Sequence, residues 1–295
     1  LPKQMKEHGI AKRSLRVGDD AIRSAITGYT RESGVRSLER LMGKLCRKTA
    51  MRLVSGDVKR ITITADNLGD FLGVRRYLPP ALDHDPVGVV NGLAWTETGG
   101  ELLEVEVCVL EGSGKLELTG NLGDVMKESA QAAVSCIRSR ASQLGVDPAF
   151  YKEKDLHIHF PEGAVPKDGP SAGVAITTAL VSALTGRRVR SDVAMTGEVT
   201  LRGRVLAIGG LKEKTMAAKR SGIHTVILPK ENERDLQEID AVVRQSLRFI
   251  AAESIETVLE SALCAVEPKR EREREDGEII TAFLPPEQAD SSLRH

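Results

Sequence analysis

The sequence predicts an α+β protein, built as a small helical unit followed by a larger unit of mixed strands and helices. Three observations carry this. Apolar residues recur at helical spacing through the first 75 positions. Beyond residue 86, short β-branched runs bounded by glycine turns alternate with helical stretches. Between the two lies Tyr77-Leu78-Pro79-Pro80-Ala81-Leu82-Asp83-His84-Asp85-Pro86, whose three prolines predict a stiff, extended linker. The expected division is 1–80 for the helical unit, 81–266 for the α+β unit and 267–295 for a charged tail.

In chain order, Pro2–His8 reads as a short helical piece. Asp19 or Asp20 is suited to cap a helix that runs through Ile26. Gly34 precedes a longer helix, in which Val35, Leu38, Leu41, Met42, Leu45 and Ala50 recur at helical spacing. Ile61 and Ile63 alternate in a short strand, and Asn67–Leu72 adds a further helical turn or two. In the second unit, Val87–Thr96 and Leu102–Leu110 are expected to pair as a hairpin across Gly99-Gly100, with Leu116–Leu118 as a third strand. A helix starts at Asn121 or Asp124 and runs through Arg140. Leu156–Phe160 alternates apolar residues with histidines, as a strand does. A helix over Pro170–Leu184 follows, then strands at Val193–Met195 and Val205–Ile208, then a helix around Lys214 that Gly222 ends. Strand Thr225–Leu228, helix Glu231–Glu238, strand Leu247–Ile250 and helix Ser254–Cys264 complete the expected fold. Lys269–Asp276 is almost all charge and Pro285–His295 is polar without periodicity, which predicts a mobile tail.

Composition narrows the functional classes. The 42 basic and 42 acidic residues balance, which removes any global electrostatic argument for nucleic acid or anionic membrane as a partner. Aromatic residues are only 3% of the chain, against a base-stacking platform. No apolar run approaches the roughly 20 residues of a membrane span. No signal-peptide pattern opens the chain, and a start at Leu1 reads as a piece of a longer protein. Cys46, Cys108, Cys136 and Cys264 are widely spaced with no CxxC pair, so a reducing, cytoplasmic setting is expected rather than zinc or disulfides. Neither a phosphate-binding Gly-rich Lys-Ser/Thr loop nor a His-Glu-x-x-His metal motif is present.

The most informative segment is Glu162-Gly163-Ala164-Val165-Pro166-Lys167-Asp168-Gly169-Pro170-Ser171-Ala172-Gly173. It leads a serine to the start of a helix, where free backbone N–H groups can stabilise an oxyanion. Gly169 permits close backbone approach, and Pro170 suits the first helical position, where its missing N–H costs nothing. Asp168 either polarises the site or caps the serine helix. The same features also describe an ordinary capped helix. The spelling Gly-Pro-Ser-Ala-Gly is not a nucleophile elbow, because a Gly/Pro loop rather than a strand precedes it.

A nucleophilic serine needs a base. His157 and His159 share one face of a strand, which keeps a Ser-His-Asp triad open. Lysine is the other option, provided burial depresses its pKa. Lys214 shares a helical stripe with Leu211, Ala217 and Ala218, whereas Lys212 falls in line with Lys219 on a more polar side. That placement favours Lys214, although a lysine on an apolar stripe also snorkels without function. Thr196, at the end of a buried strand, is placed to hydrogen-bond the lysine amine or simply to end the strand before Gly197.

Three segments taken together carry a resemblance: Pro166–Gly173, Thr196-Gly197-Glu198-Val199-Thr200-Leu201-Arg202-Gly203, and Gly209-Gly210-Leu211-Lys212-Glu213-Lys214. In order and spacing they resemble the proteolytic domain of the ATP-dependent Lon proteases, over about residues 83–265. The first 80 residues resemble the small helical AAA+ lid subdomain of that family, with Gly34-Val35-Arg36 similar to its second sensor motif. The resemblance implies a lid followed by a Lon-type α+β proteolytic domain. It implies Ser171 as nucleophile, Lys214 as base, Thr196 as the residue that positions the lysine, Trp95 on the border of the substrate groove, and Arg36 facing nucleotide in a full-length protein. It further implies a hexameric ring acting on unfolded polypeptides. ATP and Mg2+ would serve the full-length protein, and peptide cleavage by this chain would need no cofactor. Two rivals remain open at this stage: a catalytically silent assembly module, and a DNA-associated module, since DNA contact is expected only of full-length relatives.

Overall fold

The computed structural model describes residues 1–265 except 31, 33, 57, 78–84, 97 and 98. The centre of the expected linker and the charged tail therefore lie outside the described residues.

The N-terminal unit comprises α1 (Pro2–Glu7), β1 (Leu15–Val17), α2 (Asp19–Tyr29), α3 (Arg36–Val54), β2 (Ile61–Ile63) and α4 (Leu68–Leu72). Its two short strands pair in parallel, Leu15 beside Ile61 and Val17 beside Ile63. Met5, Leu15, Ala21, Ala25, Met42, Leu45, Cys46, Ile63, Leu68 and Phe71 form one buried cluster. The apolar periodicity of α3 is the reason it packs inward; of the residues read into that stripe Val35 is exposed and lies just before the helix, and Met51 and Val54, off the stripe, are exposed as well. Neither expected aspartate caps α2. Gly18 holds that position, and the Asp20 carboxylate instead accepts the Ala65 N–H at 2.8 Å. Hydrogen bonds from Arg76 N and Tyr77 N to Gly28 O tie the chain to α2 as far as residue 77.

The second unit comprises β3 (Val89–Thr96), β4 (Gly99–Glu111), β5 (Leu116–Thr119), α5 (Asp124–Arg140), α6 (Phe150–Glu153), β6 (Lys154–His159), a 3-10 turn (Pro170–Ala172), α7 (Gly173–Thr185), β7 (Val193–Met195), β8 (Glu198–Val199), β9 (Val205–Leu206), α8 (Leu211–Arg220), β10 (Thr225–Pro229), a 3-10 stretch (Lys230–Glu238), α9 (Ala241–Ser246), β11 (Arg248–Ala252) and α10 (Ile255–Ala262). Seven strands form a mixed sheet in the order β11-β10-β7-β3-β4-β6-β5. β11, β10, β7 and β3 run parallel, the β3–β4 and β4–β6 pairs are antiparallel, and β5 joins β6 in parallel. Leu116–Thr119 is thus an edge strand beside β6, not a continuation of the first hairpin.

Strand alternation sorts the core into two layers. Val193, Met195 and Ile227 join the cluster built with α5, α7 and α10, whereas Ala194, Val226 and Leu228 join the cluster built with α8 and α9. α7 is the central helix. Val174 through Val181 are all buried, as its unbroken apolar run requires. At the N-terminal edge of this unit, Asp85 Oδ1 accepts from Ser191 N and Pro86 O accepts from Val189 N.

Candidate active site

The helix expected over Pro170–Leu184 is broken at its start. Ser171 sits in the 3-10 turn Pro170–Ala172, and α7 begins only at Gly173. Gly169, just before the turn, has φ +111, a conformation costly for any residue with a β-carbon. Two hydrogen bonds fix the serine's own carbonyl: Gly197 N donates at 2.9 Å and Thr196 Oγ1 at 3.3 Å. Val174 N donates in return to Gly197 O at 3.1 Å. The serine turn is thereby laced to the end of β7.

Asp168 neither ion-pairs with a lysine, among the described residues, nor caps the serine helix. Its Oδ1 accepts from Met126 N at 3.0 Å and Gly169 N at 2.8 Å. The first bond caps α5, whose N-cap residue Gly123 has no side chain to do so. Asp168 therefore couples the serine loop to a different helix from the expected one. Lys167 holds the same loop from within, donating from Nζ to Glu162 O, Val165 O and Gly120 O. Burial lowers its pKa.

Lys214 is the buried lysine of α8. It is 2% exposed, while Lys212 faces solvent, as the helical stripe predicts. Among the described residues, its Nζ has one hydrogen-bond partner, Thr196 Oγ1 at 3.0 Å, and no ion-pair partner. Burial pulls its pKa from 10.5 to about 8. The direction of the Thr196 hydroxyl follows from its partners. A carbonyl can only accept, so the single hydroxyl hydrogen goes to Ser171 O. Lys214 must therefore donate to Thr196, which leaves the lone pair of a neutral amine free for another proton.

Ser171, Lys214, Asp168, Trp95, Leu103 and Met126 line one cleft of about 660 Å3, together with Ala207–Gly210. Trp95 is 58% exposed there. His157 and His159 are not among the lining residues. Both rings instead meet Thr119 Oγ1 on edge strand β5, at 2.8 and 2.7 Å. Arg36 is exposed at the start of α3, in the N-terminal unit. Among the described residues no three His, Cys, Asp or Glu side chains cluster to hold a metal ion, and no helix is long and apolar enough to cross a membrane.

Sequence reasoning missed Gly100. Read as part of a turn, it lies inside β4, and a β-carbon there would come within 2.0 Å of Glu213 O in α8. The Lys214 helix seats on this strand because Gly100 has no side chain. A glycine at the start of a strand carries no local signal for such a distant approach.

The chain thus sets a serine at a helix start and a buried lysine in one cleft beside a seven-stranded mixed sheet, and carries a small helical unit before it. The family model of the Lon protease (S16) C-terminal proteolytic domain matches residues 62–265, and that of the Lon protease AAA+ ATPase lid domain matches residues 6–61. The chain is 57% identical over 264 residues to Lon protease of Finegoldia magna, covering 89% of this chain and 34% of that protein. It is 57% identical over 265 residues to Lon protease 1 of Bacillus subtilis (89% and 34%) and 54% identical over 265 residues to Lon protease of Haemophilus influenzae (89% and 33%). The chain belongs to the Lon protease family and carries its lid and proteolytic domains. It spans about a third of the length of the curated relatives it matches.

Proposed function

We propose that this chain cleaves peptide bonds through a Ser171–Lys214 dyad. The observation that carries the reading is the buried amine whose one partner, Thr196, is itself bonded to the backbone of Ser171. Ser171 Oγ attacks the scissile carbonyl carbon while Lys214 Nζ takes the hydroxyl proton. The carbonyl electrons move to oxygen, giving a tetrahedral oxyanion. Backbone N–H groups around Ser171 stabilise that oxyanion. Gly169 N–H, held by Asp168, is already committed. Collapse breaks the C–N bond, and Lys214 returns its proton to the leaving nitrogen. Water then attacks the acyl-enzyme with Lys214 again as base, and Ser171 regains its proton.

The same reading extends to the whole protein. It is an ATP- and Mg2+-dependent endopeptidase of unfolded polypeptides, a hexamer, working in the cytoplasm, with Arg36 turned to nucleotide. The boundary between lid and protease falls near residue 80. Supporting this, Ile63, Leu68, Phe71 and Leu72 belong to the N-terminal core, although the matched proteolytic region begins at 62. Residues 81–266 expressed alone should fold.

The test is cleavage of a quenched peptide by the parent chain, Ser171→Ala and Lys214→Ala. Slow turnover by the parent, lost in both variants, is expected. A parent chain that neither turns over peptide nor binds a peptide boronate at Ser171 would overturn the reading and favour a silent assembly module.

A further inference from the structure

Asn232 lies outside every motif above, in the 3-10 stretch Lys230–Glu238, and is 3% exposed. Its carboxamide meets both backbone groups of one residue. Nδ2 donates to Ile208 O at 2.9 Å, and Oδ1 accepts from Ile208 N at 2.9 Å. Nδ2 also donates to Asp235 Oδ2 at 2.6 Å. A carboxylate faces only the NH2 end of an amide, so Asp235 fixes which way the Asn232 group points. One side chain thus does for Ile208 what a neighbouring strand would do.

The place where this happens matters. β9 stops at Leu206, and residues 207–210 lead from it to the Lys214 helix while lining the cleft. A short link of this kind has many conformations unless something holds it, and ordering it on binding would weaken affinity for a ligand. Trp95 packs on its end: a β-carbon on Gly210 would lie 3.0 Å from the Trp95 ring.

We propose that Asn232 is a positioning residue for peptide binding, acting through the backbone of Ile208 to hold residues 207–210 as a preformed wall of the cleft. This rests on the reading of the cleft as a peptide site, but not on the chemistry of Ser171. The clamp contributes to binding more than to bond cleavage, because Asn232 itself contacts neither Ser171 nor Lys214 among the described hydrogen bonds.

Two variants test it: Asn232→Ala, and Asn232→Asp combined with Asp235→Asn. The second keeps volume, net charge and the acceptor for Ile208 N, and replaces the donor to Ile208 O by a carboxylate oxygen that repels that carbonyl. kcat and KM are measured with the quenched peptide. The affinity of the same peptide is measured separately in the Ser171→Ala background from the fluorescence of Trp95, the only tryptophan of the chain. Loss of both hydrogen bonds to Ile208 in Asn232→Ala, and of one bond with acceptor–acceptor repulsion in its place in the exchange variant, should each raise KM and weaken peptide binding about tenfold, with kcat within about twofold. A folded variant with parental KM and affinity, or one that loses kcat alone, would overturn the proposal. Should Asn232→Ala fail to fold, the exchange variant decides. Should the parent chain fail to cleave, the Trp95 titration still decides the clamp, and only the proposed chemistry falls.

Discussion

Lys214 sets the pH behaviour. As the proposed base it must be neutral, and burial places its pKa at about 8. The rate of peptide cleavage should rise with pH through about 8 and level off above it; a flat profile between pH 6 and 10 would count against a lysine base. The linked effect on stability has a definite sign. The unfolded chain keeps this proton up to about 10.5 and the folded chain sheds it near 8, so the unfolded state binds more protons in between. Stability therefore rises with pH across that window, and the burial penalty is in full force below 8. Lys214→Met should abolish cleavage and stabilise the chain at pH 7 by about 3 kcal/mol at most, an advantage that vanishes above pH 10.5. Thermal melts at the two pH values check it. Thr196→Val keeps the shape but loses the bonds to Lys214 and to Ser171 O, and should lower kcat about 10–100-fold, whereas Thr196→Ser keeps the hydroxyl and most of the rate.

At the level of elements, the seat of α8 on β4 is the sensitive joint. Gly100→Ala would drive a methyl group into Glu213 O, so the helix must lift. A displacement near 1 Å at Lys214 should cost about 100-fold in turnover. Far-UV circular dichroism should show the fold retained while activity is lost. Helices with a clear apolar stripe, such as α3 and α8, were legible in the sequence, and so was the burial of Lys214 rather than Lys212. Elements stabilised from outside themselves were not. α6 has four residues, α9 has six and β8 has two, too short for periodicity to register. The start of the serine helix is a 3-10 turn because its carbonyls and amides are tied to β7 and α5, partners that local sequence cannot reveal. Asp168 illustrates this: as a capping aspartate it was foreseeable, but the helix it caps lies 42 residues upstream.

At the scale of the molecule, the α+β class was legible, but strand order was not. β3 and β4 form the hairpin that alternation predicts, yet β3 also pairs in parallel with β7, a hundred residues on, through Asn91–Ala194 and Gly92–Met195. That pairing brings the Trp95 strand beside Thr196. Among the described residues, the proposed peptidase machinery lies wholly within the second unit, and the chain spans about a third of the length of the relatives it matches. These 295 residues tested by themselves should cleave short peptides and unfolded chains and spare stably folded proteins, with or without ATP. Gel analysis of one substrate in folded and unfolded forms checks this; equal degradation of both would contradict it.

The depressed basicity of Lys214 has a chemical consequence of its own. At pH 7.5 a lysine of pKa about 8 carries roughly 200-fold more free amine than one at 10.5. A small carbonyl electrophile that fits the cleft should condense with Lys214 ahead of surface lysines. A single scaffold bearing both an aldehyde and a boronic acid would then engage amine and hydroxyl together, a two-point covalent ligand that enzymes with a histidine base would hold at the serine alone.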